Sequence, residues 1–209
     1  MNTATARKTR TRQNREESRA KIIAAATDLV RDRSYAELSV GEIMDAAGIG
    51  RTLFYRHFDD LPDLLLRASQ EAIGELYDAE LRLGSDGEAD AAATARAAIE
   101  PAAAVYSRHG PLLRALAEAA AVDPEIAEAQ EAVRSRFDEL VERRLRELPW
   151  ASENPPANLA EMARALNLLN TSYLLDAYGH EPRIPVDTAV EALSEIWLGV
   201  FRGRNIKEE

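Results

Sequence analysis

The sequence predicts an all-α protein, on three observations. Apolar residues recur at three- and four-residue spacing in segment after segment, no stretch alternates at the strand period of two, and cap formers, prolines and glycines punctuate the chain at helix lengths. The first fourteen residues carry Arg7, Lys8, Arg10 and Arg12 with no acid and no apolar run, so a disordered basic arm is expected over 1–14. A first helix is expected from Glu16 to Arg33, with Ile22, Ala25, Ala26, Leu29 and Val30 on one face. Ser39 and Glu42 stand as a capping box before a short helix whose Val40, Ile43, Met44 and Ala47 share a face. Gly48 sits where a left-handed residue ends a helix, since glycine takes that conformation without steric cost. A second short helix buries Ile49, Leu53, Phe54 and Phe58, leaving Arg51, Thr52, Tyr55, Arg56 and His57 on its polar side.

Asp60 then caps a long helix from Leu61 to about Leu83, with Pro62 tolerated in its first turn. After a loop at Gly84–Gly87, an alanine-rich helix is expected from about Ala89 to Ser107, where Pro101 predicts a kink or a break. His109-Gly110-Pro111 predicts a turn into a further helix, Leu112–Val122. Asp123-Pro124 opens a helix to Leu148, and Asn158 with Glu161 opens another that ends at Tyr178, before Gly179. Pro182 and Pro185 precede a last helix from Val186 to about Arg202. About nine helices result: a three-helix head over 15–60 and a larger bundle over 61–209.

Composition narrows the function classes. Forty-six per cent apolar residues in a chain of 209 suffice for a sizeable core. No apolar run is long enough for a membrane span, and no leader is expected, so a cytoplasmic protein without membrane partners is the simplest expectation. Cysteine is absent, which excludes disulfides and thiolate chemistry. The three histidines, His57, His109 and His180, fall in separate segments, and no phosphate loop, nucleophile elbow or dinucleotide fingerprint occurs. Neither an enzyme nor a metal or cofactor protein is expected. The charge is uneven: residues 1–60 hold 11 Lys and Arg against 9 Asp and Glu, while the remainder holds 15 against 27, within an overall charge of −10. A basic end on an acidic protein suits a polyanion reader confined to that end. A helical adaptor for protein partners is the contrasting class.

The two short helices between Ser39 and Phe58, with a glycine turn between them, have the shape that sends a helix into the DNA major groove. Gly48-Ile49-x-Arg51-x-x-Phe54-Tyr55-x-His57-Phe58 resembles the signature of the tetracycline-repressor (TetR) family of bacterial transcription regulators. The helix Ala20–Arg33, with Tyr35, Leu38, Val40 and Ile43, extends the resemblance. It implies that Arg51, Thr52 and Tyr55 meet bases or phosphates and that Tyr55 and His57 touch the phosphate backbone. Ser39 and Gly41 are expected to offer backbone N–H groups to a phosphate. Two positions depart from the family pattern: Gly50 stands where Ser or Thr is common, and Leu61, after Asp59 and Asp60, where a lysine is common.

Glu161 to Asn170, Gly179-His180-Glu181-Pro182 and Ile196-Trp197 are similar to the ethionamide-resistance regulator (EthR-like) branch of that family. This implies an apolar channel for a small hydrophobic effector, with Asn167, Asn170, Trp197, Phe137, Ile99, Tyr106, Leu166, Tyr173 and Phe201 as candidate lining. Asn167 and Asn170 share one helix face, so a polar grip on a ligand and a helix-to-helix bond both stand as readings. The family implies a homodimer, for which Leu159, Met162, Leu174, Val190 and Leu193 are the expected contacts. The implied function is a repressor that leaves a palindromic double-stranded DNA operator when its pocket fills. A monooxygenase gene is the target implied by the branch, and an efflux-pump gene the alternative.

Overall fold

The computed structural model describes residues 3–82, 91–148, 151–152 and 156–202. Among them are eight α-helices and two 3-10 turns, and no strand. The first helix, α1, runs Thr3–Leu29, so the expected arm is helical from Thr3 onward and the helix stops short of Arg33. The physical reason is plain in the sequence: no glycine or proline occurs before Gly41, and Ala4, Ala6, Arg7, Lys8, Arg10 and Arg12 favour helix strongly enough to carry the four threonines among them. The side chains of Arg7, Lys8, Arg10 and Arg12 lie outside the described residues.

A 3-10 turn (Tyr35–Glu37) leads to α2 (Val40–Ala47), which ends at Gly48 with φ 67 and ψ 31, the left-handed cap expected there. The segment after it, expected as a short helix, is a 3-10 helix over Arg51–Arg56. These elements close on a core of Ile22, Ala26, Ile43, Met44, Phe54, Phe58 and Leu64, all essentially excluded from solvent.

The expected helix Leu61–Leu83 is divided into α3 (Leu61–Ala68) and α4 (Gln70–Arg82) at Ser69. Ser69 is buried, and its hydroxyl donates to the Leu65 carbonyl at 2.9 Å. The backbone ladder nevertheless passes through it, with Ser69 N–H donating to Leu65 and Ile73 N–H to Ser69. A serine bonded back to the fourth residue before it favours a bend in a helix, and Ser69 marks the division between the helix of the head and that of the bundle.

The next helix, α5 (Ala91–Ala120), is unbroken, and neither Pro101 nor Gly110-Pro111 interrupts it. Its packing explains why. α5 is the central helix, covered by five others, and tertiary contact overrides the local proline signal. Gly110 is a contact point rather than a turn: a Cβ there would stand 2.2 Å from the Tyr178 carbonyl oxygen.

Asp123 caps α6 (Pro124–Glu147) by accepting from Glu125 and Ile126 N–H, a cap of about 1 kcal/mol. The seventh helix, α7 (Leu159–Tyr178), lacks the expected side-chain cap from Asn158 and is followed by Gly179, in right-handed conformation (φ −69). Glycine is required at 179 for space, since a Cβ would meet the Leu175 carbonyl oxygen at 2.5 Å. α8 (Val186–Arg202) ends the described chain. α5, α7 and α8 hold the large core, and a smaller cluster of Val30, Leu38, Leu65, Leu112, Leu116 and Ile126 joins head to bundle. No helix among the described residues is long and apolar enough to cross a membrane.

Candidate functional site: a nucleic-acid interface and an apolar cavity

At the head, Ser39, Arg51, Thr52 and Tyr55 are exposed, and Tyr55 shows 66% of its surface although it is aromatic. Phe54 and Phe58 hold the 3-10 helix from beneath, with ring centroids 5.5 Å apart. Gly41 is different from expectation. It is buried, and a Cβ there would lie 2.1 Å from Nη2 of Arg51. Gly41 is thus the floor on which the Arg51 guanidinium rests, and is covered rather than open to a phosphate. Ser39 accepts from Glu42 N–H at 3.3 Å and donates its hydroxyl to the Glu42 carboxylate at 2.8 Å. Glu42 also takes Arg33 at 2.7 Å, and both partners hold its carboxyl below the usual range.

His57 faces α1. Its Nε2 lies 2.8 Å from the Ser18 hydroxyl, and Arg15 donates to the Arg56 carbonyl at 3.3 Å. Arg15, Glu16, Arg19, His57 and Arg67 line a hollow of about 440 Å³. Burial lowers the His57 pKa first, and Arg15, Arg19 and Arg56 lower it further by repulsion. Sequence reasoning passed over Arg15, Ser18 and Arg19. Their three- and four-residue spacing on one helix was the available signal.

The bundle holds an apolar cavity of about 210 Å³ between α3, α4, α5, α6 and α7, partly open to solvent where the exposed Leu168 and Thr171 line it. Of the expected lining residues, Tyr106, Phe137, Asn167 and Asn170 reach it. Ile99 and Leu166 do not; both are packed in the core. Tyr173 packs against that core, and the Phe201 side chain lies outside the described residues. Trp197 stands behind the wall and donates its indole N–H to Asn170 Oδ1 at 3.1 Å, so it orients a lining residue without lining the cavity. Asn167 donates to Asp138 at 2.7 Å. Both asparagines therefore bond helix to helix and also line the cavity. Burial raises the Tyr106 pKa, partly offset by its hydrogen bond with Thr171.

Several lining residues were missed by sequence reasoning, among them Leu113, Gln130, Val133, Arg134 and Thr171. The helical spacing was available: Gln130, Arg134 and Phe137 follow at four and three, and Thr171 lies four beyond Asn167. Leu174, expected at a dimer contact, also lines the cavity.

Cavity and head meet on α5. Leu113, Leu116 and Ala117 line the cavity, while Arg114 beside them donates to the Val30 carbonyl at 2.8 Å and the Arg33 carbonyl at 2.9 Å, beyond the end of α1. Arg114 also donates to the Gly179 carbonyl at 2.9 Å and pairs with Glu118. Glu118 in turn accepts the Tyr35 N–H at 2.6 Å. One arginine–glutamate pair thus clasps α1, the first 3-10 turn and the end of α7.

The expected dimer contacts need correction. Leu159, Leu174, Val190 and Leu193 are at most 3% exposed in a single chain, and Met162 packs half-buried against the same core. They are spent on internal packing. The outward faces are instead Ala165, Leu168, Leu169 and Ser172 on α7 and Ala192, Ile196 and Gly199 on α8. Leu168, Leu169 and Ile196 are exposed large apolar residues at 39%, 38% and 46%.

Comparison with known proteins agrees with this geometry. Residues 22–68 match the model of the bacterial regulatory proteins of the tetR family, and residues 95–203 match that of the C-terminal domain of the transcriptional regulator EthR. The chain is 28% identical over 189 residues to the HTH-type transcriptional regulator EthR of Mycobacterium tuberculosis, covering 88% of this chain and 87% of that one. The regulator of the same name from Mycolicibacterium smegmatis is 28% identical over 210 residues, covering 95% and 96%. A tetR-family transcriptional regulator from Streptomyces coelicolor superposes with a TM-score of 0.65 at 28% identity, over 87% of this chain and 79% of that one. A putative TetR-family regulator from Syntrophomonas wolfei shares the fold at a TM-score of 0.72 and 16% identity, over 92% and 99%.

Proposed function

Because the chain belongs to the tetR family of bacterial regulatory proteins and is an EthR-like DNA-binding transcriptional regulator, we propose that it is a homodimeric repressor, released from a palindromic operator by a small apolar effector. In this reading residues 15–60, with the basic arm before them, meet DNA, and residues 61–209 hold the effector and the dimer contact. Arg51, Thr52 and Tyr55 take the bases and nearby phosphates. His57 and Ser39, with the arginines around His57, take the backbone. Tyr106, Phe137, Asn167 and Asn170 hold the effector, with Trp197 fixing Asn170.

One observation carries the mechanism: the helix that walls the cavity also clasps the head through Arg114 and Glu118. Two recognition segments must sit one DNA turn apart, roughly 34–36 Å, to meet both half-sites. An effector that fits the cavity better when α4 and α6 are spread shifts α5 or the division at Ser69, and the spacing no longer matches. The dimer joins the outward faces of α7 and α8, where Leu168, Leu169 and Ile196 are exposed.

The test is fluorescence anisotropy on the protein's own upstream DNA, with and without apolar compounds, beside sedimentation of the free protein. Sequence-selective binding by a dimer, weakened by an effector, is the expected result. A monomer without preference among promoter fragments would overturn it. The same titration against neighbouring monooxygenase and efflux-pump promoters identifies the target gene.

A further inference from the structure

We infer that the effector of this cavity is an apolar-tailed carboxylic acid, whose carboxylate is held by Arg134. The inference rests on the effector cavity of the preceding section and names the chemistry of its ligand. The wall is predominantly leucine, isoleucine, alanine and aromatic; three of its polar groups are engaged within the protein, and the others are Gln130 and the single charged group, Arg134. Asn167 gives its amide to Asp138, Asn170 receives Trp197, and Thr171 bonds Tyr106. Arg134 lines the same cavity from α6, and its Nε is buried without a hydrogen-bond partner.

A guanidinium carries only donors, so nothing but an acceptor can satisfy that edge. The Arg134 side chain is 37% exposed as a whole, so the buried edge, and not the net charge, is what lacks a partner. Glu131 is the carboxylate beside Arg134, and it is shared with Arg164 at 3.6 Å, two cations to one anion. No acid among the described residues lines the cavity, and Asp138, one turn further along α6, is engaged by Asn167. A buried donor left unmade is costly, and a carboxylate restores it with a charge-assisted bond that an ester or alcohol makes more weakly. The apolar remainder takes the tail. A cavity of about 150 Å³ accommodates benzene, so about 210 Å³ suits a medium-length chain.

The experiment compares saturated straight-chain acids from octanoate to dodecanoate with their methyl esters and alcohols, by calorimetric titration of the full chain. Wild type is set beside Arg134→Gln and Arg134→Met, each checked for an unchanged apo melting profile. The expected result is a preference of about tenfold or more for acid over matched ester in wild type, the size of one charged hydrogen bond. That preference is lost in both variants, while their ester affinity stays within about twofold of wild type. Equal binding of acid and ester by wild type, or a preference that survives in both variants, overturns the assignment and leaves the effector cavity standing. Binding of none of the compounds overturns both.

Discussion

At the residue scale the head is a set of donors held ready by their neighbours. Arg51 rests on Gly41 because only a hydrogen fits beneath its guanidinium. Gly41→Ala is therefore expected to lift Arg51 off α2 and weaken operator binding, even though alanine favours helix and the fold should gain slightly. Arg51→Ala should cost roughly 1–3 kcal/mol of operator affinity with an unchanged melting temperature. Anisotropy titration at fixed salt checks both, and undiminished affinity in Gly41→Ala would remove the platform role. His57 gives a pH signature. Its folded pKa is lowered by burial and by three arginines, so the unfolded chain binds more protons in the window between the two values. Stability from this group is present above the ordinary histidine pKa and lost as the pH falls through the folded one. An NMR titration of its ring should fall below the ordinary histidine value, and His57→Gln should flatten that part of the melting-temperature profile. An unshifted ring titration would contradict the environment described here.

At the element scale, much of the chain was legible and the misreadings share a cause. The left-handed Gly48, the caps at Asp60 and Asp123 and the span Val186–Arg202 follow from local chemistry, and the structure has them. Pro101, Gly110 and Pro111 signal breaks locally, yet α5 runs through all three because its neighbours enclose it. Leu159, Val190 and Leu193 read as spare apolar faces because a helix pattern reveals a buried face without naming what buries it. Asn167 and Asn170 were legible as paired, whereas Arg134 was hidden among the many charges of α6. The Arg114–Glu118 clasp was invisible for another reason: its partners are carbonyl and N–H groups, which sequence does not distinguish. Arg114→Met is expected to leave effector affinity near wild type while weakening the effect of effector on DNA binding. Full release of the Arg114→Met variant by effector would show that coupling runs elsewhere.

At the scale of the whole molecule, charge and symmetry divide the labour. In the proposed reading the acidic bundle repels DNA and the cations gathered around His57 and in α1 set the footprint. Arg19→Ala should weaken binding nearly alike for all sequences and reduce the salt slope by about 1, measured by titrations across salt concentrations. Placing charge on the outer faces, as in Leu169→Glu with Ile196→Glu, should give a folded monomer that binds DNA poorly. Retention of the dimer in sedimentation would refute the α7–α8 contact.

The near-touch of Gly110 and the Tyr178 carbonyl has a mechanical meaning for this division. Where two backbones meet with no side chain between them, nothing can compress, so α5 and the far end of α7 behave as one stiff plate. A guest molecule would shift that plate as a unit, carrying the Arg114 clasp with it, rather than part its two helices. The room it needs would come from α4 and α6, and α4 runs on through Ser69 into α3 and the head.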